Sequence, residues 1–245
     1  MKKLILILPV LLSVTLTNAQ YPYLYIINDP DGYLNIREQP TVNSRVIDRI
    51  ERYEIFFDAR YFAGNDELYY NNYPSNWIPV CKEYNAPIGY VYKPNAIGLD
   101  EFRMLERNSN PYSRGWDSTK PIVCGNDTLQ VVLTLKLFDK NAHEITYNAK
   151  NWIGTVDGKI AYALFLFEDG NAWEAESLTI FQKGKKISLP IDNFKNYYNP
   201  LMLVYVGLND DLYICISCGD GGESYSICLS VVDGVIRYTK DTEAM

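Results

Sequence analysis

A single histidine, five cysteines and a group of carboxylates around one tryptophan are the side chains with which this chain could do nucleophilic, metal or acid–base chemistry. Hydrolysis by a cysteine needs a thiolate, a base within reach and a third group that orients the base. Cys124 is the nearest thiol before His143, and no nucleophile motif surrounds it. His143 stands in Lys140-Asn141-Ala142-His143-Glu144, the composition of a polar surface turn between strands. A hydrolytic zinc needs several His or carboxylate ligands and an open position, which one histidine does not supply. No catalytic residue, metal site or cofactor is expected.

Carboxylate chemistry is the remaining enzymatic option. Glu168-Asp169 and Glu174-Ala175-Glu176 flank Trp173, and glycosidases place two carboxylates on either side of a sugar bond. In a strand, Glu174 and Glu176 would share one face. Glu168-Asp169-Gly170-Asn171, however, has turn composition, where acids are ordinarily solvated. A carboxylate-dependent cell-wall hydrolase is therefore the least favoured reading.

The cysteines are Cys81, Cys124, Cys215, Cys218 and Cys228. Cys215-Ile216-Ser217-Cys218 has redox or zinc spacing, but redox pairs lower a thiol pKa at a helix N-terminus. Here the motif lies in a strand-like run before Gly219-Asp220-Gly221-Gly222. With no helix pattern and no Lys-Ser/Thr after it, that glycine run is a hairpin turn and not a phosphate loop. A turn over residues 219–223 would set Cys228 across from Cys215, as a cross-strand disulfide or as two buried thiols. The odd count leaves at least one thiol unpaired.

The elements that must position these residues are β-strands. Leu129 to Phe138, Lys159 to Phe167, Leu201 to Val206, Leu212 to Ile216, Tyr225 to Val232 and Val235 to Tyr238 read as strands. Asp233-Gly234 is a two-residue hairpin signal. Residues 121–245 are expected to form a mostly antiparallel β-meander, either sandwich or barrel-like. Asp100 to Arg107 has apolar spacing suited to a short helix, within a linker over 99–120. At the N-terminus, Lys2 and Lys3, the apolar stretch Leu4 to Leu16 and the small residues before Gln20 have the order of a secretory signal peptide over 1–19. The apolar stretch is shorter than the roughly 20 residues that span a bilayer. The mature chain is expected to be exported, periplasmic or extracellular, with no transmembrane segment.

Removal of Lys2 and Lys3 takes the formal charge from −7 to −9. Nucleic-acid binding relies on clustered Lys and Arg, and attraction to anionic membrane surfaces does too; this balance argues against both.

The stretch 20–98 carries the most specific pattern: Leu34-Asn35-Ile36-Arg37-Glu38-Gln39-Pro40, then Ser44-Arg45-Val46-Ile47, Asn76-Trp77-Ile78-Pro79-Val80 and Gly89-Tyr90-Val91-Tyr92. Together these resemble the bacterial SH3 family of small extracytoplasmic β-barrels, over roughly residues 25–98. The match departs from the family at Arg52-Tyr53-Glu54, where a glycine is usual, and at Tyr90, where a tryptophan is common. An insertion, Ala63 to Ser75, adds Tyr69, Tyr70 and Tyr73. The whole chain is thus expected to be all-β, an SH3-like barrel followed by the meander, with a short helix between. Alternation places Leu34 and Ile36 on one face and Asn35 and Arg37 on the other. Leu34, Ile36, Val46, Ile47 and Ile50 are the expected barrel interior.

Modules of that family usually bind rather than catalyse, with cell-wall peptides as typical ligands. Tyrosine offers a flat apolar face and a hydroxyl at low entropic cost, and the chain holds 21 of them. Tyr33, Trp77, Tyr90 and Tyr92 are the candidate groove aromatics, with Asn35 and Arg37 as polar contacts. For each aromatic the competing role is core or strand packing; for Arg37 it is an exterior salt bridge. The expected function is an exported, non-catalytic protein that engages cell-wall peptide or an envelope protein. The alternative is an envelope inhibitor, immunity-like, that meets a basic partner through an acidic C-terminal β-domain.

Overall fold

A computed structural model describes residues 24–61, 74–81, 89–108, 120–148, 153–161, 172–189, 198–218 and 225–242. The expected signal peptide, the tyrosines of the insertion, Glu168-Asp169 and the 219–223 turn lie outside them. Among the described residues the chain is all-β, with antiparallel strands and short 3-10 turns and no α-helix.

The N-terminal strands are β1 (Leu24–Ile27), β2 (Tyr33–Arg37), β3 (Val46–Glu51), β4 (Phe56–Asp58), β5 (Trp77–Cys81), β6 (Gly89–Tyr92) and β7 (Ala96–Gly98). They make one sheet in the order β3-β2-β6-β5-β4-β1-β7. Leu34, Ile36, Ile50, Phe56, Ile78, Val80 and Val91 fill its interior, so both halves of the sheet curl around one core. The edge strands β3 and β7 are not paired with each other among the described residues, and the curl does not close into a barrel. Of the five expected interior residues, Leu34, Ile36 and Ile50 are buried, while Val46 and Ile47 are 44% and 38% exposed. The cause is a bulge: Ile36 pairs with Asp48 but Arg37 pairs with Val46, and the extra residue, Ile47, breaks the alternation. Gly89 lets β6 press onto β2, since a Cβ there would lie 2.3 Å from Ile36 Cγ2.

The segment expected to be a helix is instead a 3-10 turn, Leu99–Glu101, followed by β8 (Arg103–Met104). Pairing of Met104 with Tyr205 and of Arg103 with Val206 satisfies its backbone, and Leu105 N donates to Val204 O at 2.8 Å. Phe102 and Met104 pack against the core beneath. Tertiary pairing outweighs a weak local helical preference.

The remaining strands are β9 (Ile122–Gly125), β10 (Leu129–Leu137), β11 (Ile145–Tyr147), β12 (Ile153–Val156), β13 (Lys159–Ile160), β14 (Trp173–Gln182), β15 (Lys185–Leu189), β16 (Leu201–Val206), β17 (Leu212–Cys218), β18 (Tyr225–Val232) and β19 (Val235–Thr242). They form a four-stranded sheet β15-β14-β10-β9, a small sheet β11-β12-β13, and a five-stranded sheet β19-β18-β17-β16-β8. Asp233 and Gly234 both take positive φ, 51° and 75°, the geometry of the expected hairpin turn.

The five-stranded sheet is the middle layer. Met202, Val204, Val206, Leu212, Ile214, Ile216, Ile227, Leu229 and Val231 point to the four-stranded sheet and meet Val131, Leu133, Leu178 and Ile180. The intervening residues Leu203, Tyr205, Tyr213, Cys215 and Cys228 point the other way and meet Leu24, Ile26 and Phe57 of the N-terminal sheet, with Ile55 and Leu99 beside its strands. Ser230 Oγ also donates to Tyr53 O at 2.7 Å. The C-terminal half is therefore a sandwich, and the N-terminal sheet forms a third layer on it.

Two outcomes follow from this burial. Phe57, 1% exposed, sits in the core that joins the N-terminal and middle sheets. Phe57→Ala is expected to lower stability by about 3–5 kcal/mol, in a single urea transition seen alike by circular dichroism and fluorescence; two separate transitions would refute the shared core. Burial also raises the Cys124 thiol pKa from the usual 9.0 to about 11 and raises the phenols of Tyr198 and Tyr213. The unfolded chain gives up these protons first, so alkali favours unfolding. The contribution of Cys124 should be full below pH 9.0 and be lost as pH climbs through about 11; a flat urea midpoint across that window would contradict the assignment.

Candidate functional site

β2, β5 and β6 build the site. Along β2, Leu34 and Ile36 enter the core while Asn35 and Arg37 are half-buried on the opposite face. The first residue of β5 and the last of β6 are register partners, Trp77 and Tyr92. Their rings meet edge to face at 5.5 Å between centroids. Tyr33, Asn35, Arg37, Trp77 and Tyr92 line one groove of about 190 Å³. Trp77 is 7% exposed and Tyr92 36%, so the tryptophan forms the floor and the tyrosine the rim. Tyr90, the sixth candidate, is the partner of Arg37 in β2 and is not among the groove's lining residues.

The two ends of the groove differ in charge. At one end Asp29, Asp31 and Asn95 contribute. Asp29 is held by its own turn: its Oδ1 accepts from Asp31 N at 2.9 Å, its carbonyl accepts from Gly32 N at 3.0 Å, and its Oδ2 accepts from Asn95 Nδ2. At the other end Arg37 Nη1 donates to Ser44 O at 2.8 Å, which braces the Pro40 turn; Val42 at the tip of that turn also lines the groove. Arg37 thus makes no exterior salt bridge through this contact. Arg49 lies 5.6 Å over the Tyr33 ring, fixing the ring by a cation–π contact. Asp29 and Asp31 stand in the turn just before β2, outside its alternation, and Asn95 reaches them only through the fold, which joins residue 29 to residue 95.

The acid–base residues of the C-terminal half also converge, but on one another. His143 follows a 3-10 turn over Lys140–Ala142, as a turn residue should, yet its side chain is only 15% exposed. Its ring stacks on Phe138 at 5.1 Å, Nδ1 lies 2.8 Å from Asp157 Oδ2 and Nε2 lies 3.5 Å from Glu174 Oε2. Glu174 Oε1 in turn accepts from Lys136 Nζ at 2.8 Å, and this contact raises the Lys136 pKa. The expectation of an exposed histidine is corrected by the Phe138 packing. The shared face of Glu174 and Glu176 is corrected too. Ser177 pairs with Thr134 but Ala175 with Leu135, so Glu176 is a bulge residue, exposed, while Glu174 is buried. Two carboxylates on opposite sides of one imidazole make a clasp between β10, β14 and the β12–β13 turn.

Asp58 is fully buried at the end of β4. Arg60 satisfies it, with Nε 2.9 Å from Oδ1 and 3.0 Å from Oδ2. A lone acid in the apolar run Ile55 to Ala59 is the signal that marks it. Among the described residues, no His, Cys, Asp and Glu group is arranged to hold a metal ion.

Comparisons with family models, with curated proteins and with solved structures find no match. The site must be interpreted from its own geometry.

His143→Ala would remove a ring packed on Phe138 and leave Glu174 buried beside Lys136 alone. The expected loss is about 1–3 kcal/mol of stability, read by urea denaturation, with ligand binding at the groove unchanged; a loss of binding without a loss of stability would move the functional site to the clasp.

Proposed function

We propose that this chain is an exported, non-catalytic binding protein related to bacterial SH3 modules, and that its groove takes a short peptide of the cell wall or of an envelope partner. The observation that carries this reading is the convergence of Tyr33, Asn35, Arg37, Trp77 and Tyr92 on one groove. Its size, about 190 Å³, is below the roughly 300–1,000 Å³ of small-molecule pockets and suits one or two residues of an extended chain. The chemistry fits a peptide as well. Aromatic faces accept apolar or sugar-like surface, Asn35 offers both a donor and an acceptor, and the guanidinium of Arg37 is suited to a carboxylate. A free amino group would be favoured at the Asp29–Asp31 end. The acidic balance of the chain, −7 formally, fits neither a nucleic acid nor an anionic membrane surface. Within the described residues no helix is long and apolar enough to cross a membrane.

The test is co-sedimentation of the chain from Gln20 with purified peptidoglycan, beside folded Trp77→Ala and Tyr92→Ala variants. Truncation of an aromatic anchor in a buried contact costs about 2 kcal/mol or more, so each variant should bind at least tenfold more weakly. A folded wild type that does not sediment with the wall would eliminate the cell-wall ligand. Tyr90→Ala serves as the internal contrast, with a small effect expected.

A further inference from the structure

Cys215 and Cys228 face each other across β17 and β18. They are direct register partners, both 1% exposed, and their sulfurs lie 3.4 Å apart. Directly opposed residues of an antiparallel pair have Cα atoms about 4.5 or 5.5 Å apart, and both spacings fall within the range of about 4.4–6.8 Å that a disulfide bridges. The sulfurs need only approach each other, without a shift of either strand.

The other cysteines of this region are turned away. Cys218, three residues along β17 from Cys215, points to the opposite face and belongs to the core between the middle and four-stranded sheets. Cys124 lies in that same core. The C-x-x-C spacing therefore does not make a pair, because positions i and i+3 of a strand lie on opposite faces. Cys215 and Cys228 share the other core, beneath β1 and β4.

We propose that Cys215 and Cys228 are a disulfide site, closed when the chain folds in an oxidising compartment, before the N-terminal sheet docks over β17 and β18. The proposal is independent of the groove and of its ligand. The oxidant is a small disulfide such as that of glutathione. The Cys228 thiolate attacks it and displaces one glutathione thiolate; the Cys215 thiolate then attacks the mixed disulfide and displaces the second. The protein loses two protons and two electrons, and the oxidant leaves as two thiols. The order of events follows from access. Once docked, the pair is sealed from solvent, and the contact with the Cys228 sulfur together with burial keeps the Cys215 thiol protonated, the unreactive form.

The experiment refolds the reduced, denatured chain from Gln20 in a mixture of reduced and oxidised glutathione, then alkylates it and maps peptides by mass spectrometry. The expected product is two hydrogens lighter and carries one linked peptide pair, Cys215 to Cys228, with the other three thiols alkylated. The double variant Cys215→Ser/Cys228→Ser should show no such loss. In a second arm, natively folded reduced protein in the same mixture should form the bond about tenfold or more slowly than during refolding, as expected when reaction waits on opening. Refolded protein with all five thiols alkylated, or with a bond to Cys81, Cys124 or Cys218, would overturn the pairing. Equal rates in the two arms would overturn the order.

Discussion

The burial of one sheet on both faces is the constraint on which the rest of the molecule depends. β16, β17 and β18 supply even- or odd-numbered apolar residues to the four-stranded sheet, and the intervening residues to the N-terminal sheet. A strand of this kind has no face left for water, which is why LMLVYV, LYICISC and YSICLSVV run nearly without charge. The arrangement also dictates where polar groups go. Ser230, on the N-terminal face of β18, meets the carbonyl of Tyr53, and Tyr213 lies over Gly207, where a Cβ would come within 2.6 Å of its ring. Removal of either flanking sheet would expose one whole apolar face of the middle layer, so the halves of the chain are coupled through hydrophobic burial and not by a linker.

That coupling explains which parts of the fold were legible in the sequence. The continuous apolar runs of β16 to β18 and the Asp233-Gly234 turn are strong local signals, and the strands fall where those signals stand. β14 and β15 carry a comparable signal in Lys183-Gly184, whose φ angles of 50° and 73° make the same kind of two-residue hairpin. Its composition is less distinctive, because Lys is a less usual residue in that turn than Asn or Asp. The Asp100 to Arg107 segment misleads for a different reason. Its helical spacing is genuine, but the free edge of β16 offers hydrogen bonds to β8 that a local pattern cannot reveal. Bulges are illegible in the same way: at Ile47 and at Glu176 one inserted residue reverses the faces of its neighbours, and nothing in the local composition marks it.

The candidate site shows the same division. Tyr33, Asn35, Arg37, Trp77 and Tyr92 could be named from the sequence because strand alternation sorts β2 into core and outer residues, and because the resemblance to bacterial SH3 modules points to the aromatics of β5 and β6 as groove candidates. Their mutual approach is a property of the register Trp77–Tyr92. Asp29, Asp31 and Asn95 were not legible, since only the pairing of β1 with β7 brings residues 29 and 95 together. His143 shows the limit of composition: Lys-Asn-Ala-His-Glu is a turn, as its residues say, but Phe138 and two acids from other strands enclose the ring.

The seven-stranded sheet places its docking residues and its groove on different strands. β1, β4 and β7 carry Leu24, Ile26, Phe57 and the half-buried Ile97 to the shared core. β2, β5 and β6 carry the groove residues. β4 joins the two sets through its pairing with β5, and its buried Asp58 is clamped by Arg60 where the docking half meets the groove half. A ligand in the groove therefore contacts none of the residues that hold the layers together. The rim of the groove lies outside that shared core, whereas Trp77 at its floor is itself buried and packed against Tyr92. On this architecture the N-terminal sheet is a structural layer, and under the proposed function its groove, on strands that do not dock, is the recognition surface.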